Sequence, residues 1–265
     1  MYYEFLEDIA RTNRLRSVHP AIKLLTGLGC MLISVSSKSV ITPLLIAILL
    51  FFAVVFVAGI NPFFYLKLLF IPAGFAVISV IVIIFMRNSG DILFSLPLFD
   101  LFFINISTGS INEGALILSR VLGGMCSLFF ISLTTPVSDT FGLLAKCRIP
   151  HELIDLSMLI YRFIFVFIEQ AVLIYNAQKM RLGYTNLKEG INSFGYMSGA
   201  LFMNTWNTAE NLILAMDSRC YNGKFAVDDD GFTLSLPLLF AVLAFLALLA
   251  GVCVTTSEYT IFCGA

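Results

Sequence analysis

A chain of 265 residues that is 59% hydrophobic and 12% charged, with a mean hydropathy of +0.94, cannot hide its apolar surface as a water-soluble globule; ordinary soluble domains are about 45 to 50% apolar and about 25% charged. Sixteen Lys and Arg against seventeen Asp and Glu give a formal charge of −1, which supplies no global attraction to nucleic acid. The fold class this implies is an all-α integral membrane protein, with about five transmembrane helices and about three further helices outside the hydrocarbon.

Residues 1–18 are polar and mixed in charge and lack the apolar core of a cleaved signal. They are expected to remain as a short amphipathic segment on the membrane surface. A helix needs about 20 mostly apolar residues to cross about 30 Å of hydrocarbon, and five stretches qualify: 21–36, 41–59, 68–86, 115–133 and 232–254. Arg120 is the one guanidinium well inside a span, and it is expected to be structural, snorkelling or paired near one end. Between the third and fourth spans, residues 88–113 are apolar but broken by Asp91, Pro97, Asp100, Asn105 and Gly109, the pattern of an external hairpin or re-entrant loop.

Residues 134–230 are charged and helical in pattern yet still rich in apolar positions. Thr134-Thr135-Pro136 closes the fourth span, Ser138 or Asp139 is placed to cap a following helix, and Ile149-Pro150 ends that helix near Arg148. A second helix is predicted over 151–182, with Gly183 past its end as a C-cap glycine, and a third over 191–221. Asp155, Arg162, Glu169 and Asn176 recur every seven residues and so share one face of the second helix. Asn204, Asn207, Asn211 and Ser218 repeat the design on the third. A sixth span over 156–174 is set aside because Arg162 and Glu169 would lie in hydrocarbon.

Three segments follow: 1–133 with four spans, 134–231 with the amphipathic helices, and 232–265 with the last span and an external tail. Eight of the sixteen Lys and Arg lie between Lys146 and Lys224, and Arg11, Arg14 and Arg16 precede the first span. Positive residues concentrate on the cytoplasmic side, which predicts an inner-membrane protein with its amino terminus and amphipathic helices inside and its carboxyl terminus outside.

Catalytic patterns are absent from this sequence: it contains no GxSxG, no HExxH, no Gly-rich dinucleotide loop and no phosphate-binding GxxxxGK[ST] loop. Six cysteines are scattered without a CxxC pair, and His19 and His151 each sit beside a proline, so neither a disulfide framework nor a metal cluster is expected. The run Asp228-Asp229-Asp230-Gly231 could hold Mg²⁺ in a membrane phosphotransferase, but its simpler reading is a solvated turn before the last span. A self-contained secondary transporter would need ionisable residues near midplane, for which Arg120 alone is a thin case.

Two arginine tripeptides share a context: Met180-Arg181-Leu182 and Ser218-Arg219-Cys220, each near a helix end, each with Ala four residues before the arginine and with Tyr and Gly close behind. An arginine there can simply serve the helix dipole and its free carbonyls. Its fixed fork of donors can equally dock into a carboxylate-bearing groove of a partner.

With these motifs in view, the sequence resembles the transmembrane T component of energy-coupling-factor (ECF) transporters, of the cobalt type known as CbiQ. The likeness covers nearly the whole chain: His19-Pro20-Ala21-Ile22-Lys23-Leu24 looks like the family's approach to its first span, Thr134-Thr135-Pro136 like its characteristic turn, and Tyr161-Arg162-Phe163-Ile164 like its long-helix signature. The tripeptides resemble its paired Ala-Arg-Gly-type coupling motifs, with Leu182 and Cys220 standing where Gly is frequent.

The resemblance implies a non-catalytic coupling subunit of an ATP-driven cobalt uptake system, with no cofactor in this chain. Its partners would be two ATPase subunits, a separate substrate-binding membrane subunit and membrane lipid. Arg181 and Arg219 would be the anchors into the ATPases, with Met180, Leu182, Ser218 and Cys220 shaping the contacts. The same module could serve a nickel or vitamin transporter.

Overall fold

The computed structural model describes residues 9–10, 12–86, 92–98, 102–146, 149–221 and 235–256. The chain divides into two compact units, Met1–Thr140 with Asp230–Ala265, and Phe141–Asp229.

In the first unit, a 3₁₀ turn at Arg14–Ser17 leads to α1 (Pro20–Ser36). His19 starts α1 by accepting the Ala21 N–H on Nδ1 at 3.1 Å, with Pro20 in the first-turn position where its missing N–H costs nothing. Helix α2 (Ile41–Phe52) runs on as a π-helical turn, Ala53–Val57, in which the Ala58 N–H reaches the Ala53 carbonyl. Helix α3 (Pro62–Met86) starts earlier than the apolar run indicates, because the Asn61 side chain accepts the Phe63 N–H and Pro62 pre-sets the first turn.

The segment read from sequence as a hairpin or loop contains two antiparallel strands, β1 (Ile92–Leu98) and β2 (Phe102–Ser107), in register from Ile92 opposite Ser107 to Leu98 opposite Phe102. The all-α expectation therefore holds apart from one two-stranded hairpin. Strand β2 runs directly into α4 (Thr108–Thr134), which begins seven residues before the predicted 115. Helix α5 (Val137–Lys146) follows the Thr135-Pro136 turn and runs from this unit into the chain of the second. Ser138 and Asp139 lie inside its first turn instead of capping it, and there Asp139 faces the positive end of the helix dipole. Helix α8 (Leu236–Thr255) closes the unit.

Helix α4 is the hub: α1, α2 and α3 all pack on it, while α8 packs on α1 and α2. The core gathers Cys30 from α1, Ile46 and Leu50 from α2, Tyr65 from α3, Cys126, Phe130 and Leu133 from α4, and Leu249 from α8. Close approach rests on small residues, as it does between helices in lipid. A Cβ at Gly27 would stand 2.3 Å from Ile131 Cγ1, and one at Gly123 would stand 2.3 Å from Ser34 Oγ and 2.8 Å from the Pro43 carbonyl.

Polar groups inside this unit serve helix ends. Lys23 Nζ donates to the Thr134 carbonyl at 3.1 Å, and Asn13 Nδ2 donates to the Leu133 carbonyl at 2.9 Å, so the last carbonyls of α4 are held by the segment that opens α1. Arg120 Nε and Nη2 donate to the Ser37 carbonyl at 2.8 and 2.5 Å, holding the end of α1 from α4. Arg120 is thus the structural, paired residue expected of it, with a partner that is backbone and so invisible in a list of charged side chains.

In the second unit, α6 (His151–Met180) and α7 (Leu187–Ser218) are joined by six residues. Helix α6 starts at the predicted 151, but α6 and α7 end at Met180 and Ser218, short of the predicted 182 and 221, because the chain leaves helical geometry at the two arginines, and α7 starts at Leu187 ahead of the predicted 191. Among the described residues, four helices are long and apolar enough to cross a membrane: Pro62–Ile84 of α3, Gly109–Thr134 of α4, α6, and α8, while α1 and Ile41–Val57 are shorter apolar helices. Helix α6 meets this test despite Arg162 and Glu169, both exposed; the sequence reading keeps it out of the membrane on those two charges alone.

Gly123→Leu is expected to destabilise the protein by about 1 to 3 kcal/mol, as overpacking of a close contact does. Gly124→Ala, whose Cβ would meet nothing within 4 Å, is expected to raise stability by about 0.5 to 1 kcal/mol, as loss of a glycine inside a helix does. Thermal unfolding in detergent compares the two, and equal midpoints would mean that α4 does not approach α1 and α2 this closely.

Candidate functional site

The two arginine tripeptides close their helices in the same way. Arg181 is the C-cap of α6 and Arg219 the C-cap of α7. In the first, Leu182 N–H donates to the Lys179 carbonyl at 3.1 Å and Gly183 N–H to the Gln178 carbonyl at 3.0 Å. In the second, Cys220 N–H donates to the Asp217 carbonyl at 3.1 Å and Tyr221 N–H to the Met216 carbonyl at 3.0 Å. Both are Schellman caps, and each requires a left-handed residue just after the C-cap. Leu182 (φ 59°) and Cys220 (φ 54°) supply it, and they are the only non-glycine residues with positive φ among those described.

This corrects the reading of Gly183 as the C-cap glycine, since the left-handed position is Leu182. Gly183 is glycine for another reason: a Cβ there would stand 2.7 Å from Ser193 Oγ and 3.1 Å from the Gln178 carbonyl. The signal was present in the internal likeness of the tripeptides, which pairs Leu182 with Cys220 and sets Gly183 opposite Tyr221.

The first motif sits on a braced loop. Ser193 Oγ donates to the Gly183 carbonyl at 2.7 Å, Gln178 Nε2 to the Ser193 carbonyl at 2.9 Å, and Tyr184 OH to Gln178 Oε1 at 2.8 Å. The Tyr184 ring lies 4.9 Å from that of Tyr175, and Thr185 Oγ1 donates to the Glu189 carboxylate. At the second motif, partial burial and the nearby Asp155 carboxylate push the Tyr221 phenol above its ordinary value. Asp155, buried at the start of α6, is thereby set apart from Arg162, Glu169 and Asn176, which share its face but are exposed.

Both braces leave the arginines presented. Arg181 and Arg219 are exposed, and among the described residues neither guanidinium has a hydrogen bond or ion pair. Met180 and Leu182, 86% and 70% exposed, put apolar surface beside the first, and Ser218 and Cys220 flank the second, both exposed. The motifs stand at opposite ends of α7, whose 32 residues span about 48 Å at 1.5 Å per residue. A rigid, unpaired fork of donors with an apolar neighbour is suited to an acidic groove on another protein.

Cys30, Cys126, Cys220 and Cys253 are free thiols, and no group of three or more His, Cys, Asp or Glu that could hold a metal ion occurs among the described residues. The acidic run Asp228-Asp229-Asp230, together with Cys147 and Cys263, lies outside the described residues.

The family model CbiQ, described as a cobalt transport protein, matches residues 11–229. The chain is 42% identical over 247 residues to a putative fused cobalt transport protein CbiMQ of Methanocorpusculum labreanum, covering 93% of this chain and 41% of that one. It therefore spans less than half of that fused relative. It is 27% identical over 156 residues to the cobalt transport protein CbiQ of Salmonella typhimurium, covering 58% of this chain and 69% of that one. It is also 33% identical over 137 residues to the energy-coupling factor transporter transmembrane protein EcfT of Lactococcus lactis, covering 48% of this chain and 52% of the relative.

Left-handed geometry costs a branched or bulky residue about 1 to 2 kcal/mol that glycine does not incur, against a larger loss of chain entropy for glycine. Leu182→Gly and Cys220→Gly are each expected to raise stability by about 0.5 to 1 kcal/mol, and Leu182→Val to lower it by about 1 kcal/mol. Thermal midpoints of the three variants in detergent check both signs.

Proposed function

We propose, because the chain belongs to the CbiQ family of cobalt transport proteins, that it is the non-catalytic coupling subunit of an ECF-type ATP-driven uptake transporter for cobalt ions. The observation that carries this reading is the pair of identically capped, exposed and unpaired arginines at the two ends of one long helix. Two docking points about 48 Å apart on a single rod suit two ATPase subunits better than one. Arg181 and Arg219 each insert into a carboxylate-bearing groove of an ATPase, and Met180, Leu182, Ser218 and Cys220 shape the rims of those contacts.

In this mechanism ATP binds and is hydrolysed on the partners. Closure of the two ATPases moves both arginines, and α7 carries the displacement between the braced loop at its start and the Schellman cap at its end. Exposed apolar side chains along it, among them Ile191, Phe194, Phe202 and Trp206, offer the grip for a substrate-binding membrane subunit. Tilting or deforming that subunit releases cobalt to the cell interior. Capture and selection of the ion belong to that subunit, and the fused relative, named for both CbiM and CbiQ, supports a working pair of this kind. The arginine-bearing unit lies in the cytoplasm and the chain sits in the cell membrane, in keeping with the clustering of basic residues between Lys146 and Lys224.

Co-purification with the cognate ATPase in detergent tests the coupling role. Arg181→Glu and Arg219→Glu are each expected to weaken capture, and the double variant to abolish it while the membrane protein stays monodisperse. Cobalt uptake by cells carrying the full set of subunits is expected to fall to background with the double variant. Retention of the ATPase by all three variants would reduce both arginines to helix-end caps.

A further inference from the structure

Between the end of α2 and the start of α3 the chain turns back over the segment that precedes α1, and a cleft of about 490 Å³ opens there. Its wall includes Asn13, Arg14, Gly59 and Asn61 on the polar side and Ile60 and Phe64 on the apolar side. We infer that this cleft is a binding site for an anionic membrane phospholipid, held through its phosphodiester.

Depth selects lipid. Helix α3 is long and apolar enough to cross the membrane from Pro62, so its first turn lies at the level of the headgroups. Charge selects phosphate. The Arg14 guanidinium is exposed and, among the described residues, has no hydrogen bond or ion pair. Asn61 spends its Oδ1 on the Phe63 N–H at 3.0 Å, and among the described residues both its Nδ2 protons remain for a ligand. The positive end of the α3 dipole adds to them, and no carboxylate lines the cleft among the described residues.

The apolar wall accommodates the glycerol and upper chain of a lipid, which a free phosphate ion lacks. Asn13 is buried, at 9% exposure, with both Nδ2 protons engaged by the Ala10 and Leu133 carbonyls at 3.0 and 2.9 Å, so this part of the wall is fixed to the end of α4. Gly59, at φ +75°, lets the backbone turn at the rim in a conformation that other residues adopt only with strain.

Native mass spectrometry of the full chain in detergent, titrated with phosphatidylglycerol, phosphatidylcholine or inorganic phosphate, tests the site. Arg14→Gln removes the cation, and Asn61→Ser removes the amide protons while keeping an oxygen to cap α3. Each is expected to weaken phosphatidylglycerol binding at least fivefold, with Arg14→Lys retaining most of it and phosphatidylcholine, whose choline cation offsets its phosphate, binding more weakly than phosphatidylglycerol. Equal phosphatidylglycerol binding by the native chain and Asn61→Ser would overturn the proposal even if Arg14→Gln failed to fold. Displacement of the lipid by millimolar inorganic phosphate would assign the cleft to a soluble anion instead, and indifference between the two lipids would overturn the selection for an anionic headgroup.

Discussion

Two antiparallel helices hold each other's ends. The carbonyl of Ser37, at the end of α1, is taken by Arg120 of α4, and the carbonyl of Thr134, at the end of α4, is taken by Lys23 of α1. A helix leaves four carbonyls without an intrahelical partner at its end, and where water is scarce each one left bare costs free energy comparable to a lost hydrogen bond. Reciprocal capping meets that cost with side chains already committed to the packed pair. It also fixes register, since sliding either helix along the other would strip both caps together. The remaining helices of the unit pack against this pair, α2 and α3 on α4 and α8 on α1 and α2.

Much of this was legible in the sequence, for physical reasons that differ by element. Spans in hydrocarbon carry the strongest pattern a sequence can hold, so α1, α2, α4 and α8 were found near their true positions. Their starts were misjudged where polar residues open a helix: Asn61 and Pro62 launch α3, and β2 feeds α4 at Thr108, both ahead of the apolar run. The strands were unreadable as strands because Pro97 and Asn105 look like turn formers, although both lie in the paired register. The partner of Arg120 could not be named because it is a main-chain oxygen, and backbone atoms leave no trace in composition.

The arginine motifs show the opposite balance. Their positions could be read from the repeated context alone, and the family's preference for glycine marks the residue after the arginine as special. What the sequence hid was the reason. Leu182 and Cys220 occupy left-handed backbone that glycine adopts without strain, and the adjacent Gly183 drew the reading one residue too far. The geometry is common to both motifs although the side chains are not, so it is the cap and the outward arginine that the two sites share, while their apolar and polar flanks differ.

The unit Phe141–Asp229 is an insertion in chain terms, because both of its ends return to the same body. A part hung on one strand can pass only tension to its support and is free to swivel. A part mounted at two points passes torque as well. One mount leads back through the Pro136 turn to the end of α4, whose final carbonyls are clamped by Lys23 and Asn13; the other leads to α8. The inserted unit is thus joined in sequence to the clamped end of α4 on one side and to α8 on the other.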